Sequence, residues 1–187
     1  FDDSRLALNL AQTAIEQGAV ALNYCGVTGF IKNGDTIAGV VAHDTISGNN
    51  YEINARVVVN ATGVFSDAVQ QMDEPGKETT ITRSQGIHIV LDKEFLPGDA
   101  AIMIPHTDDG RVLFAVPWHD KIIVGTTDTL IDEILTEPLA LDEEIQFLLQ
   151  HASRYLTKDP SLKDVRSIYS GLRPLVKTSA KKTAEIS

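Results

Sequence analysis

The sequence predicts an α+β protein of two lobes, and three observations lead to this prediction. A stretch near the start has apolar residues at helical spacing, and short strand-like runs with strong turn signals follow it. One continuous apolar run then ends in small residues. From residue 79 onward, the pattern is that of an antiparallel sheet with flanking helices. A polar linker at 73–78 separates the two patterns, so we place the lobes at 1–75 and 76–187.

The first lobe begins with a predicted helix at 4–17, where apolar residues recur every three or four positions and Gly18 follows at the usual stop position. A short strand is predicted at 19–24. A three-stranded meander comes next, because the segments 33–35 (Asn-Gly-Asp) and 47–50 (Ser-Gly-Asn-Asn) favour the positive φ angles of tight hairpin turns. The strands of this meander are predicted at 27–32, 36–44 and 51–53.

A buried strand is predicted where residues 55–63 read Ala-Arg-Val-Val-Val-Asn-Ala-Thr-Gly. Three consecutive valines are typical of a parallel strand that is buried on both faces. The run ends in small residues, which let a ligand approach the backbone at the carboxyl end of such a strand. An ordinary core strand followed by a turn explains the same residues, and this alternative stays open. A short helix at 63–72 follows.

The second lobe is predicted to be an antiparallel sheet. Its predicted strands are 81–91 (broken by Gly86), 101–105, 111–117, 121–125 and 165–175. Turns at 107–110 and 118–120 join the middle strands into hairpins. A helix that starts at Asp142 has apolar residues at three- and four-residue spacing, and Pro160 lies just beyond its end. Residues 178–187 are predicted to form a polar tail.

The composition is that of an ordinary globular protein, with 43% apolar and 22% charged residues in a chain of 187. A net charge of −10 argues against nucleic acid, or an anionic membrane surface, as the main partner. A small anionic substrate would need local Arg or Lys side chains. Cys25 is the only cysteine, so we expect no internal disulfide, no cysteine-based metal site and a cytoplasmic location.

Three segments of the second lobe contain residues that could carry chemistry. His88 follows Gly86 within a strand, where a glycine often marks a close backbone approach; a hydrogen-bonded, inert histidine is the alternative. Arg173 lies in a strand and its planar fork suits a carboxylate or phosphate, unless a nearby Asp or Glu pairs with it. The segment 125–128, Gly-Thr-Thr-Asp, is polar and tight, and simple turn chemistry explains it as well.

These segments are far more specific as an ordered set. Val-Asn-Ala-Thr-Gly at 59–63 is followed by Gly-Ile-His-Ile-Val at 86–90, Val-Pro-Trp at 116–118, Val-Gly-Thr-Thr-Asp at 124–128 and Tyr-Ser-Gly-Leu-Arg-Pro-Leu at 169–175. In this order they resemble FAD-dependent glycerol-3-phosphate dehydrogenase, within the glycine oxidase and D-amino-acid oxidase superfamily of flavoproteins. The resemblance runs from about residue 2 to residue 175. It implies a partial FAD-binding lobe at 1–75 and a substrate-binding lobe at 76–187.

The resemblance also implies roles for individual residues. It places His88 beside the flavin as the acid/base or the ligand of the substrate hydroxyl, and it makes Arg173 a substrate-binding residue near the flavin ring. It assigns backbone contacts with FAD to Val27, Ala61, Thr62 and Gly63. The family often has Lys-Gly-Ser-His where this chain has Gln-Gly-Ile-His at 85–88, so the contacts of that Lys and Ser do not carry over.

The activity that the resemblance implies is oxidation of sn-glycerol 3-phosphate to dihydroxyacetone phosphate, with hydride transfer to FAD and a quinone as electron acceptor. Peripheral contact of the full-length enzyme with the inner membrane is a further expectation. Two alternatives stay open. One is another FAD-dependent amino-acid or hydroxy-acid oxidase or dehydrogenase, and the other is a non-catalytic ligand-binding module.

A family feature is missing from the sequence. The family begins with a Gly-x-Gly-x-x-Gly loop that holds the FAD pyrophosphate at a helix N-terminus, and no such loop occurs here. The family's closing segment, with a second Arg for the substrate phosphate, would follow residue 187. We therefore expect this chain to be the central portion of a longer enzyme. On its own we expect it to bind FAD weakly or not at all and to be inactive.

Overall fold

The computed structural model describes residues 2–105, 107–108 and 110–177, which form helices and antiparallel strands. The α-helices are α1 (Asp3–Glu16), α2 (Ser66–Asp73) and α3 (Asp142–Ser153). The strands are β1 (Cys25–Asn33), β2 (Thr36–Asp44), β3 (Asn50–Asn54), β4 (Ile81–Asp92), β5 (Ile102–Ile104), β6 (Leu113–Trp118), β7 (Lys121–Gly125), β8 (Thr129–Leu130) and β9 (Ser167–Val176). The predicted α+β class is confirmed. Within the described ranges, no helix combines the length and apolar character that crossing a membrane requires.

The chain divides into two compact units. Unit 1 comprises Phe1–Ala61 and Ala68–Lys77, and unit 2 comprises Thr62–Asp67 and Glu78–Ser187. The assignment of 1–75 to a FAD-binding lobe and of 76–187 to a substrate-binding lobe stays a prediction.

Unit 1 contains the predicted first helix and the predicted meander. α1 is capped by the carboxylate of Asp2, which accepts a hydrogen bond of 3.0 Å from the backbone N–H of Arg5. β1, β2 and β3 form a three-stranded antiparallel sheet in that order. Gly34 and Gly48 have φ angles of +61° and +76° in the two connecting turns. The turn residues therefore act as the sequence predicts.

Two predicted strands of unit 1 are wrong. Residues 55–60 form no strand, and Val57 and Val59 are 75% and 80% exposed. Residues 19–24 form no strand either, with Val20 84% exposed. A buried strand needs hydrogen-bonded neighbours at its edges and packed layers on its faces, and no strand of the described chain pairs with either segment. An apolar run alone does not supply those partners.

Unit 2 is built around β4. β4 pairs with β9 along one edge, from Ile81 to Val90. Along the other edge, it pairs with β7 from His88 to Asp92 and with the short β8 at Ser84 and Gln85. β6 and β5 extend the sheet beyond β7, and all these pairings are antiparallel. β4 therefore lies at the centre of a six-stranded sheet.

One face of this sheet packs against α3. The buried cluster consists of alternate residues of the strands together with one side of α3: Ile87, Ile89, Leu91, Phe95, Ile104, Leu113, Ala115, Ile122, Val124, Ile145, Leu148, Leu149, Ala152 and Leu156. Because side chains alternate across a strand, the residues between them point to the opposite face. The predicted apolar spacing of the helix at Asp142 is confirmed by the burial of its sheet-facing side.

The strand prediction for unit 2 needs one correction. β4 is not broken at Gly86, because Gly86 keeps its place in the ladder opposite Gly171. A short strand that the sequence pattern does not signal, β8, follows the Gly-Thr-Thr-Asp segment. Asp109, in the predicted turn at 107–110, and the predicted tail at 178–187 lie outside the described residues.

Asp67 anchors the start of α2 to the start of β4. Its side chain is buried, and its carboxylate accepts hydrogen bonds from the N–H and hydroxyl of Thr80, both 2.9 Å, and from the N–H of Ile81, 3.0 Å. Burial raises the pKa of this carboxyl group, but the hydrogen bonds and the charge of Arg83 outweigh burial. The pKa of Asp67 therefore lies below its ordinary value of 3.8.

Asp67→Ala should lower the free energy of unfolding by about 1–3 kcal/mol at neutral pH, because it leaves the partly buried N–H groups of Thr80 and Ile81 without their acceptor. A carboxyl group whose pKa is lowered by folding stabilises the folded state when the pH is above the pKa of that group in the unfolded state. This contribution is lost as the pH falls through the pKa of the group in the folded state. The difference between wild type and variant should therefore shrink as the pH falls below 3.8. Urea unfolding followed by the fluorescence of Trp118, the only tryptophan, measures it.

Asp99→Ala is the matched control. The Asp99 side chain is 94% exposed in its ion pair with Lys93, so its removal should change the free energy of unfolding far less than the removal of Asp67 does. Equal losses for the two variants would show that Asp67 is not an anchor.

Candidate functional site

The sheet face that points away from α3, called the open face below, is apolar and aromatic. Its exposed side chains are Met103, Phe114, Val116, Trp118 and Tyr169, each 36–58% exposed. The strand register brings them together, since Phe114 lies opposite both Met103 and Gly125. A contiguous exposed patch of this kind is typical of a surface that contacts a ligand or another protein segment.

His88 lies on the open face, between the buried residues Ile87 and Ile89. Its ring rests on the bare backbone of Gly125, its neighbour on β7. A Cβ atom at Gly125 would lie 2.2 Å from Cδ2 and 2.7 Å from Nε2 of His88, so no other residue fits there without moving the ring. On the opposite side, the ring of Tyr169 stacks on His88 with 4.9 Å between centroids and 10° between planes. Gly125 and Tyr169 therefore fix the position of the imidazole.

Arg173 extends from β9 across β4. A Cβ atom at Gly86 would lie 2.3 Å from both terminal nitrogens of the Arg173 guanidinium, so the group lies directly on the bare backbone of Gly86. Beyond β4, Nη1 donates to the carbonyl of Thr127 at 3.1 Å, and Nη2 donates to the hydroxyl of Thr126 at 2.9 Å. The close approach expected of a glycine beside His88 is thus present, and the side chain that approaches is Arg173.

The two predicted catalytic residues share one face and adjacent positions. Arg173 lies on Gly86, and His88 is two residues further along the same strand, which is about 7 Å. The Arg173 side chain is partly covered, and 37% of it stays exposed to solvent. A small ligand on the open face can therefore contact both groups. The catalytic roles of His88 and Arg173 stay predictions.

Asp128 carries negative charge next to Arg173, and sequence reasoning did not single out its role. Its Oδ1 lies 3.7 Å from Nη1 of Arg173 and accepts a hydrogen bond from Ser84, while its Oδ2 lies 3.8 Å from Nη2 of Arg111. Arg173 therefore has a nearby carboxylate, as the alternative interpretation of this residue expects, although its hydrogen bonds go to Thr126 and Thr127. The guanidinium groups of Arg173 and Arg111 both lie within 4 Å of the Asp128 carboxylate.

The predicted FAD contacts fall in both units. Val27, in β1, and Ala61 belong to unit 1, and Thr62 and Gly63 belong to unit 2. Gly63 has a φ of +58° and starts a 3₁₀ turn that contacts β9, the strand of Arg173. Within the described part of the chain, and apart from its two neighbours in the sequence, no residue has an atom within 4 Å of the position of a Cβ at Gly63. Exposed backbone with small side chains fits the close approach of a nucleotide such as the ADP portion of FAD. The contacts themselves stay predictions.

The fold and the arrangement of His88 and Arg173 agree with the class of FAD-dependent oxidoreductases, and comparison with known proteins gives the same class. The family model described as "FAD dependent oxidoreductase" (DAO) matches residues 1–182. The chain therefore belongs to the DAO family of FAD-dependent oxidoreductases.

Within that family, the chain is similar to glycerol-3-phosphate dehydrogenases. It is 40% identical over 187 residues to the mitochondrial glycerol-3-phosphate dehydrogenase of Schizosaccharomyces pombe, covering 95% of this chain and 29% of that protein. It is 35% identical to the aerobic glycerol-3-phosphate dehydrogenase of Staphylococcus haemolyticus, covering all of this chain and 34% of that protein. The Bacillus halodurans glycerol-3-phosphate dehydrogenase, whose structure was solved with FAD, superposes with a TM-score of 0.86 at 35% identity.

The structural match covers 94% of this chain and 36% of the Bacillus halodurans protein. The chain thus spans about a third of the length of the relatives it matches.

Gly86→Ala should displace the guanidinium of Arg173, because a carbon atom needs about 3.5 Å from its neighbours rather than the 2.3 Å available. Side-chain ¹⁵N signals of Arg173 report its hydrogen bonds, and we expect them to be protected from exchange in the wild type and lost in the variant. Gly171→Ala is the control. Gly171 lies opposite Gly86, and a Cβ there meets no atom within 4 Å. Unchanged Arg173 signals in Gly86→Ala would contradict the assigned contact.

Proposed function

We propose that the whole protein oxidises sn-glycerol 3-phosphate to dihydroxyacetone phosphate. The observation that carries the proposal is the placement of an imidazole and a guanidinium at adjacent positions of one apolar face, each resting on a glycine. Membership of the DAO family and the names of the similar enzymes support it.

The proposed reaction converts the C2 alcohol into a ketone, so the C2 hydroxyl loses a proton and C2 loses a hydride. When bound, FAD supplies the acceptor for that hydride. His88 would take the hydroxyl proton, since a neutral imidazole is a suitable base near neutral pH. The stacked ring of Tyr169 and the backbone of Gly125 hold the imidazole in one orientation, which such a base requires.

Arg173 would orient the C2 oxygen and stabilise the negative charge that develops on it as the proton leaves. Its guanidinium is already held by Thr126 and Thr127, so little reorganisation accompanies the reaction. Arg173 also places a positive charge on the open face, which an anionic substrate needs in a chain with a net charge of −10.

The residues that we propose to hold FAD are Val27, Ala61, Thr62 and Gly63. The exposure of Ala61 and Thr62 and the positive φ of the partly exposed Gly63 support this assignment, because small residues allow a nucleotide to lie against the chain.

We also propose a quinone as the electron acceptor and a cytoplasmic protein that meets the inner membrane peripherally. The similarity to enzymes named as mitochondrial and aerobic glycerol-3-phosphate dehydrogenases supports an enzyme of aerobic metabolism, and the quinone is our proposal for its acceptor. We expect salt to release the whole protein from membranes. We expect the released protein to oxidise sn-glycerol 3-phosphate with a water-soluble quinone analogue as the electron acceptor. Turnover with oxygen alone would argue against the quinone.

His88→Ala in the whole protein should lower kcat by about 10²–10⁴-fold, the usual contribution of a positioned general base. The rate of flavin bleaching by sn-glycerol 3-phosphate in an anaerobic stopped-flow experiment measures the chemical step directly. His119→Ala is the control, because His119 is exposed in the turn between β6 and β7. Flavin reduction at the wild-type rate in His88→Ala would remove His88 from this role.

A panel of amino acids and hydroxy acids tests substrate identity in the same assay.

A further inference from the structure

We infer that Glu144 is a positioning residue for Arg173 and acts on it through the sheet, from the face opposite the open face. The test of this inference by enzyme activity rests on the function proposed above, but its test by the NMR signals of Arg173 does not.

Glu144 is a buried carboxylate that is surrounded by hydrogen-bond donors. It lies in the first turn of α3 and is 4% exposed. Its Oε2 accepts from the amide of Gln85 at 2.8 Å and from the N–H of Leu141 at 3.0 Å. Its Oε1 accepts from the hydroxyls of Thr127 and Thr129, both at 2.8 Å. All four donors are neutral, so the carboxylate is held by hydrogen bonds from two segments of the sheet and from its own helix.

The connection to the sheet runs through Thr127. Three residues, 126–128, lie between β7 and β8, opposite only two residues of β4, so this segment bulges out of the ladder. The N–H of Ile87 would lose its ladder partner there, and it donates instead to the Thr127 hydroxyl at 3.0 Å. The same hydroxyl donates to Glu144. Glu144 therefore fixes both the hydroxyl of Thr127 and the path of the bulge.

The other side of the bulge holds Arg173. The carbonyl of Thr127 and the hydroxyl of Thr126 accept from its two terminal nitrogens. Glu144 and Arg173 thus both bind Thr127, from opposite faces of one sheet: Glu144 binds its hydroxyl and Arg173 binds its carbonyl. A shift of the bulge by a fraction of an ångström changes the position of the guanidinium, and misplacement of such a group is costly to catalysis.

Glu144→Leu tests the inference, because leucine has a similar size but no acceptor. In the whole protein we expect kcat/KM to fall about 10- to 100-fold. We expect the protected side-chain ¹⁵N signals of Arg173 to be lost as well. Glu144→Gln should recover most of the loss, since the threonine hydroxyls can rotate and accept from its amide. Ile145→Val, at the next position of α3, controls for a general perturbation of the helix.

A double-mutant cycle separates positioning from general destabilisation. Once Arg173→Ala has removed the guanidinium, Glu144→Leu should have little further effect on turnover, because the two residues act as one unit. Equal losses from Glu144→Leu in the two backgrounds would overturn the inference. Intact Arg173 signals in Glu144→Leu would overturn it too, and this result requires no assumption about the substrate. Loss of those signals with normal turnover in Arg173→Ala would support the positioning and reject the proposed role of Arg173.

If Glu144→Leu fails to fold, Thr127→Val provides the same test from the other end of the contact. It removes the hydroxyl that joins Glu144 to the bulge, and Thr127→Ser restores a hydroxyl at that position. We expect lost Arg173 signals and reduced kcat/KM in Thr127→Val, with recovery in Thr127→Ser. No difference between these two variants would contradict the inference.

Discussion

The arrangement of the candidate site depends on bare backbone at Gly86. A guanidinium can cross a strand at van der Waals distance only where no side chain stands, and Arg173 does so to reach Thr126 and Thr127. Gly125 plays the same part for the ring of His88. Neither glycine has a positive φ angle, so the requirement at both positions is space rather than backbone conformation.

One face of the sheet forms the apolar core of unit 2, the other holds the candidate site, and the two faces are connected by hydrogen bonds. The covered face contains the apolar cluster that stabilises unit 2, and α3 contributes Ile145, Leu148, Leu149 and Ala152 to it. The open face contains aromatic and apolar side chains, with the imidazole of His88 and the guanidinium of Arg173 among them. The bulge at 126–128 links the faces, because its polar groups bind Glu144 on one side and Arg173 on the other. Buried polar groups of this kind are costly unless all are paired, which favours one geometry of the bulge over others.

Local signals predicted much of this fold. The apolar spacing of α1 and the glycine-containing turns of the meander specify structure within a few residues, and both elements are present. The Val57–Val59 run failed as a buried strand, because burial depends on partners distant in the sequence. His88 and Arg173 were identified through an ordered set of motifs, since a lone His or Arg in a strand is ambiguous.

The supporting residues could not be predicted in the same way. Asp128 looks like an ordinary turn residue, and only the path of the chain between β7 and β8 brings it next to Arg173. Glu144 reads as a residue of a solvated first helical turn, yet it is buried. Its function depends on contacts with Gln85 and Thr127, which are 59 and 17 residues away in the sequence.

The central claim is that His88 and Arg173 act on one ligand at the open face. A crystal structure of the whole protein with bound sn-glycerol 3-phosphate or its ketone product tests this most directly. We predict that the C2 oxygen lies within hydrogen-bond distance, about 2.6–3.2 Å, of both the His88 imidazole and the Arg173 guanidinium. A ligand that contacts only one of these groups, or that binds away from the open face, would contradict the account.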